Sequence, residues 1–157
     1  MTSKEIKIAY MEYDSINQLD PVDKELAEAA IEATKGSYAP YSRFNVGAAI
    51  RLDNGQIVKG ANQENAAYPS GLCAERTAMF YASAAFPDNS FTSIAIAAAQ
   101  NGILCKNPAT PCGACRQVMA QYQTKSNMPM SIILIGSEKV LRFEKVDDLL
   151  PLIFDSI

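Results

Sequence analysis

The chain has 157 residues, the length of one ordinary globular domain, and this is enough to bury a sizeable core. Hydrophobic residues make up 48% and charged residues 20%, so the composition excludes a disordered chain. The net charge of −3, without any cluster of lysine and arginine, disfavours a nucleic-acid polymer as partner. The longest apolar run, 94–99, is far shorter than the ~18 residues of a membrane span, and the first residues lack an apolar signal core. We therefore expect a cytoplasmic protein without a membrane partner.

The sequence contains no histidine, which excludes Ser-His-Asp and Cys-His catalysis. Proton transfer must therefore use Asp, Glu, Lys, Tyr or Cys side chains. A transition-metal site must rely on the four cysteines, Cys73, Cys105, Cys112 and Cys115. A disulfide framework is not expected in a cytoplasmic protein, so the spacing of these cysteines has to indicate their role.

Hydrophobic periodicity and turn residues predict ten elements along the chain. They are an edge strand or arm within 4–13, a helix 21–35, strands 45–52 and 56–62, a helix 74–85, a strand 93–99, a helix 113–123, strands 131–136 and 139–143, and a short helix 146–150. Asp20 before Pro21 is typical of a helix N-terminus, and Asn54-Gly55 suits the tight turn of a hairpin. This order predicts a single α/β domain over 1–157, with helices on both faces of one sheet.

Three cysteines have the spacing of a metal site. Cys112 and Cys115 lie three apart at a predicted helix start, and Cys73 lies at another. Two alternatives remain open: a redox dithiol of Cys112 and Cys115, or a structural zinc site with Cys105 as fourth ligand. We favour three ligands, because three protein ligands and an open position are the arrangement of catalytic zinc.

Three thiolates around one Zn²⁺ leave an excess of negative charge, which weakens the effect of the metal on a bound water. Arg76, next to the motif, and the two predicted helix N-termini can offset this charge. Glu75 is only two residues from Cys73, so on a helix the two side chains diverge and shared ligation is awkward. A carboxylate beside the metal but not bound to it suits proton transfer; the alternative is a solvated first-turn Glu.

Five motifs together resemble a known family. They are Tyr-Ala-Pro-Tyr-Ser at 38–42, Phe-Asn-Val-Gly-Ala-Ala at 44–49, Gly-Ala-Asn-Gln-Glu-Asn-Ala-Ala-Tyr-Pro at 60–69, Cys-Ala-Glu at 73–75 and Pro-Cys-Gly-Ala-Cys at 111–115. Over about 22–120 the chain is similar to the small homotetrameric, zinc-dependent cytidine deaminases. The resemblance assigns no role to residues 1–20, which form an N-terminal extension.

The resemblance implies a three-layer α/β/α cytidine deaminase-like domain with a single mixed sheet and one zinc ion per subunit. It implies Cys73, Cys112 and Cys115 as the zinc ligands and Glu75 as the catalytic acid and base. The implied substrate contacts are Phe44, Asn62, Glu64, Phe154 and backbone groups near Ala74 and Thr110. For Phe44 and Asn62, the plain alternatives are a core side chain and a turn residue.

The implied reaction is the hydrolytic deamination of cytidine and deoxycytidine to uridine and deoxyuridine, a step of pyrimidine salvage. Glu64 would repel a 5′-phosphate in the same cavity, so nucleosides should be preferred to nucleotides. Alternative functions are the deamination of a related substrate, such as a nucleoside antibiotic, or a structural zinc-binding module without activity.

The segment 149–157 is unusually apolar for a chain end, so we expect it to dock on a surface. The plain expectation is packing on its own subunit. The resemblance implies instead a homotetramer in which Phe154 enters the active site of a neighbouring subunit and covers the pyrimidine.

Overall fold

A computed structural model of the chain describes residues 1–155, and Ser156 and Ile157 of the apolar tail lie outside the described residues. The strands and α-helices are β1 (Met11–Tyr13), α1 (Pro21–Ala33), β2 (Phe44–Leu52), β3 (Ile57–Ala61), α2 (Ala74–Ala85), β4 (Phe91–Gln100), β5 (Ile103–Leu104), α3 (Gly113–Ser126), β6 (Ser131–Ile135) and β7 (Val140–Phe143). Short 3₁₀ turns lie at Ile16–Gln18, Thr34–Gly36, Tyr68–Ser70 and Val146–Asp148. No helix in the described part of the chain is long and apolar enough to cross a membrane.

The strands form one sheet in the order β1-β7-β6-β4-β2-β3, with β5 paired to β4. β4 and β6 run parallel. The other pairs are antiparallel, so the sheet is mixed, as the resemblance implied. The parallel pair requires a crossover, and α3 supplies it between β4 and β6.

Helices cover both faces of the sheet, which confirms the three-layer α/β/α fold. Alternate residues of β4 belong to two separate buried clusters: Ile94 and Ile96 to one that includes parts of α2 and α3, and Ala95 and Ala97 to another that includes part of α1. This alternation follows from the two-residue period of a strand.

Two glycines allow backbone atoms of the sheet to pack directly against backbone atoms of the helices. A Cβ atom on Gly47 of β2 would lie 2.3 Å from the carbonyl oxygen of Ala30 in α1. A Cβ atom on Gly60 of β3 would lie 2.5 Å from the backbone nitrogen of Ala78 and 2.8 Å from the carbonyl oxygen of Ala74 in α2. Gly60 therefore determines how closely the first turns of α2 pack on the sheet.

The predicted start of α1 and the predicted hairpin are confirmed. Asp20 caps α1, since its Oδ1 accepts hydrogen bonds from the backbone nitrogens of Val22 and Asp23, both at 2.9 Å. β2 and β3 pair antiparallel around a turn in which Gly55 has a φ of 85°. Only a residue that tolerates positive φ fits there without strain.

Two predicted elements differ from the structure, and one strand was not predicted. The helix expected at 146–150 is wrong: only the 3₁₀ turn Val146–Asp148 forms, since Pro151 disfavours helical geometry at the residue before it. Within 4–13, only Met11–Tyr13 becomes a strand, and residues 1–10 are exposed. β5 was missed although Asn101 and Gly102 precede it with positive φ, the same Asn-Gly signal that predicts the first hairpin.

Candidate active site

The sulfur atoms of Cys73, Cys112 and Cys115 form one cluster in which all lie within 4.8 Å of one another. The Sγ atoms of Cys73 and Cys112 are 3.9 Å apart, and those of Cys112 and Cys115 are 3.5 Å apart. Tetrahedral zinc with Zn–S bonds of about 2.3 Å places its thiolate ligands about 3.8 Å apart. The donor set therefore fits a zinc ion, and the chain binds zinc through this cluster.

Local helix geometry places these cysteines. Cys73 is the N-cap residue of α2 and Cys112 is the N-cap residue of α3, and neither cap makes a side-chain hydrogen bond to its helix. Cys115 lies in the first turn of α3 and is completely buried. Two helix N-termini thus meet at the sulfur cluster, and their partial positive charge favours thiolates.

The sulfur atoms of the cluster shift one another's pKa values. The hydrogen bond from the Cys115 thiol lowers the pKa of Cys73 to about 5, with further help from Arg76. The same hydrogen bond and burial raise the pKa of Cys115. Three adjacent thiolates would repel one another, and a divalent cation between them offsets that repulsion.

Arg76 supplies the expected positive charge beside the sulfurs. Its Nη2 lies 3.8 Å from the Sγ of Cys73, and this contact raises the pKa of Arg76. Its Nε atom is buried and has no hydrogen-bond partner among the residues that the structure describes. The guanidinium is thus directed to the cluster and not to a carboxylate on the surface.

Glu75 is only 4% exposed and lines the same cavity as Cys73 and Cys112. Burial, followed by the negative charge of Cys73, raises the pKa of this carboxyl group. A raised pKa makes a carboxylate a stronger proton acceptor, as a proton-transfer role requires. The alternative of a solvated first-turn Glu does not fit this burial.

The cavity beside the cluster has a volume of about 700 Å³, within the usual size range of small-molecule sites. Of the residues expected to contact substrate, Phe44, Asn62, Glu64 and Thr110 line it. Ala74 is fully buried in α2 and does not line the cavity.

Asn62 already uses most of its hydrogen-bonding groups within the protein. Its Oδ1 accepts from the hydroxyl of Ser37 and from the backbone nitrogen of Val46, the latter at 2.8 Å. Its Nδ2 donates to the carbonyl oxygen of Phe44 at 2.9 Å. The side chain therefore holds the start of β2 in place, and one Nδ2 hydrogen is left for a ligand.

Glu64 is held by the loop before β2. Its Oε2 accepts from the backbone nitrogens of Tyr41 and Ser42 at 2.9 and 3.2 Å. The hydrogen bond from the Ser42 side chain is the main cause that lowers the pKa of Glu64. This exposed carboxylate is thus ionised at neutral pH and supplies negative charge to the cavity wall.

Sequence reasoning missed two tyrosines that also line the cavity. The rings of Tyr41 and Tyr68 meet edge to face, with centroids 5.9 Å apart. Both lie inside the motifs at 38–42 and 60–69, so the signal was present, but no local pattern indicates that the two rings meet.

Cys105 and Phe154 lie outside this site. Cys105 does not belong to the sulfur cluster, and its backbone nitrogen donates to the carbonyl oxygen of Ala98. A four-thiolate site is therefore not formed by the described residues. The side chain of Phe154 does not line the cavity of its own subunit, and the residue is 68% exposed, so the expected packing on its own subunit does not bury it.

Comparison with known proteins assigns the family. Residues 21–130 match the family described as "Cytidine and deoxycytidylate deaminase zinc-binding region". The chain belongs to this deaminase family. The family match covers every residue of the sulfur cluster and of the cavity wall, but neither the N-terminal extension nor the tail.

Relatives of this deaminase-family chain share its sequence over most of their length. The cytidine deaminase of Halalkalibacterium halodurans is 48% identical over 96 residues, which are 61% of this chain and 68% of that protein. The cytidine deaminase of Sporosarcina psychrophila is 40% identical over 130 residues, or 83% of this chain and 88% of that protein. Among solved structures, the cytidine deaminase of Burkholderia pseudomallei aligns with a TM-score of 0.71 at 39% identity and covers 83% of this chain and 97% of its own.

Proposed function

We propose that this protein is a zinc-dependent cytidine deaminase, which converts cytidine and deoxycytidine to uridine and deoxyuridine with release of ammonia. The observation that carries this proposal is the buried Glu75, which lines the same cavity as two members of the three-cysteine cluster. That combination supplies a metal and a proton carrier without histidine. Family membership and the relatives, which are cytidine deaminases, agree with it.

In this reaction Glu75 acts as the proton carrier. When bound, zinc supplies Lewis-acid activation of a water molecule. Of the two protons of that water, one ends on N3 of the pyrimidine and the other leaves with ammonia, and Glu75 carries each in turn. The burial that raises the pKa of Glu75 favours the protonated state needed for the second half of each transfer.

The polar wall of the cavity selects the sugar. In the proposed complex, the free Nδ2 hydrogen of Asn62 and the Oε1 atom of Glu64 bind the ribose hydroxyls, and Phe44 packs against the base. The ionised Glu64 disfavours a 5′-phosphate by charge repulsion, so nucleosides are the substrates. Backbone groups near Thr110, which lines the cavity, hydrogen-bond the base, whereas the buried Ala74 makes no such contact.

We further propose a cytoplasmic homotetramer of the pyrimidine salvage pathway, with one zinc ion per subunit. The four cysteines are free thiols, which is typical of proteins in a reducing compartment. Phe80 and Tyr81 on the outer side of α2 are 43% and 62% exposed, and such neighbouring aromatic side chains are typical of subunit contacts. Phe154 is free to enter the cavity of a neighbouring subunit.

The test measures bound zinc together with the absorbance change and ammonia release on adding cytidine. The variant Glu75→Gln should keep its zinc and its fold but lose about 10²-fold to 10⁴-fold in turnover, the effect of a lost proton carrier. Glu28→Gln is the matched control, because Glu28 is an exposed residue of α1, on the opposite face of the sheet. Near-normal turnover by a zinc-loaded Glu75→Gln variant would contradict the proposed mechanism.

A further inference from the structure

Three polar side chains of α3 hold the C-terminal segment 146–154 by its backbone. The Oε1 atom of Gln123 accepts from the nitrogen of Val146 at 2.9 Å. Arg116 donates from Nη1 to the carbonyl oxygen of Leu149 at 3.0 Å. With the contact of Gln117 described next, these contacts hold the segment along α3. It runs back towards the start of that helix, where two of the cysteines lie.

Gln117 binds both backbone polar groups of Phe154, at the far end of this segment. Its Nε2 donates to the carbonyl oxygen of Phe154 at 2.7 Å, and its Oε1 accepts from the nitrogen of Phe154 at 3.4 Å. The backbone of Phe154 is therefore anchored while the residue stays 68% exposed. An anchored backbone with a free ring presents that ring to a neighbouring surface in a defined position.

Arg116 also connects the segment to the metal site. Its Nε donates to the carbonyl oxygen of Pro111 at 2.8 Å, and Pro111 directly precedes Cys112. A planar guanidinium can serve two carbonyl oxygens at once, which a lysine ammonium of the same charge does less well. One side chain thus fixes both the loop that carries a zinc ligand and the segment that carries Phe154.

We propose that Arg116 and Gln117 are positioning residues: Gln117 sets where the ring of Phe154 is presented to the substrate, and Arg116 couples that segment to the loop of Cys112. This inference rests on the proposed function. It assigns a role to two neighbouring residues of α3 that do not line the cavity and contribute no sulfur atom to the cluster. Gln123 anchors the start of the segment and defines its course.

The first test removes the anchor without adding charge. Gln117→Met is similar in size and helix propensity but loses both hydrogen bonds. We expect its zinc content to stay unchanged and amide hydrogen exchange in 152–155 to rise about tenfold, because two hydrogen bonds of ordinary strength are lost. The KM for cytidine should rise about three- to tenfold with kcat nearly unchanged, because the ring contact stabilises the bound substrate and the transition state equally. Gln121→Met, at an exposed position one turn further along α3, is the matched control and should change none of these. Gln117→Asn, whose amide is too short to reach, serves as a second variant.

The second test uses Phe154 itself. If Gln117 acts through the ring, Gln117→Met should raise KM no further in a Phe154→Ala background, whereas independent effects would add. Arg116→Lys should speed both amide exchange in 149–155 and zinc loss severalfold, because a lysine ammonium binds two separate carbonyl oxygens less well than a guanidinium does. Additive effects on KM, or unchanged exchange in Gln117→Met, would overturn the positioning role. Hydrogen exchange does not depend on catalysis, so absent deamination by the wild-type protein would count against the proposed function and not against the anchor.

Discussion

Substituting Gly60 by alanine tests how the sheet positions α2, the helix that carries Glu75. The new Cβ atom would lie 2.5 Å from the backbone nitrogen of Ala78, whereas an ordinary contact begins at 3.4 Å. Its nearest neighbours are backbone atoms of α2, which cannot turn away as a side chain can. The strand and the helix must therefore separate by most of an ångström.

The expected cost follows from this overlap. Overpacking of a core lowers the free energy of unfolding by about 3 kcal/mol at the upper end of the usual range. Alanine in place of glycine raises it by about 0.4–1 kcal/mol, because the unfolded chain then has less conformational entropy. A net loss of about 2 kcal/mol should lower the thermal midpoint by about 4–8 °C for a chain of this length. Because α2 carries Glu75, we also expect kcat/KM to fall by up to about 10²-fold, the effect of a misplacement near 1 Å.

Gly36→Ala is the control. Its Cβ atom would lie 3.7 Å from the Cβ of Ala61, an ordinary contact, so the same chemical change should leave stability unchanged or slightly raised. Both variants are compared by thermal unfolding at one protein concentration and by steady-state kinetics. Equal midpoints for Gly60→Ala and Gly36→Ala would refute the close approach of β3 to α2.

Three further predictions concern the metal, the sugar and the subunit contact. Cys112→Ala should lose zinc and stability together, because metal binding is coupled to folding, whereas Cys105→Ser should retain stoichiometric zinc; the reverse result would favour Cys105 as a ligand. Cytidine should be converted much faster than its 5′-monophosphate, and Glu64→Gln should narrow this difference if charge repulsion causes it; comparable rates for both substrates in the unaltered protein would show that Glu64 does not face the sugar. Mixed tetramers of Glu75→Gln and Phe154→Ala subunits should be more active than either parent, because some sites then combine an intact Glu75 with an intact Phe154 from a neighbour. If verified mixed tetramers recover no activity, Phe154 does not act in the active site of a neighbouring subunit.

Local features of the sequence account for the elements that were predicted correctly and for the proximity of Cys112 and Cys115. The spacing of Cys112 and Cys115 and the Pro21 and Asn54-Gly55 signals are decided within a few residues, and such signals need no tertiary contact. The two-residue and helical periods likewise indicated which faces are apolar, and hence three layers. The prediction of a helix at 146–150 was wrong because Leu149 and Leu150, whose apolar pattern suggested a helix, pack on the core from an irregular segment.

Only the tertiary structure decided how these local elements combine. The sequence by itself determined that Cys73, Cys112 and Cys115 are available as ligands and that Glu75 stands beside them. It could not determine that Glu75 is buried or that its pKa is raised, because both depend on residues far away along the chain.

The same limit applies to the hydrogen bonds that organise the site. The bonds of Asn62 to Ser37, and of Arg116 and Gln117 to the C-terminal segment, join residues 25, 33 and 37 positions apart. Side-chain amides and guanidinium groups have no pattern that names a distant partner. Their partners are chosen when the packed sheet and helices bring otherwise unpaired backbone groups within reach, since buried polar groups must be satisfied. The sequence therefore specified the chemistry, and the packing of the fold specified its geometry.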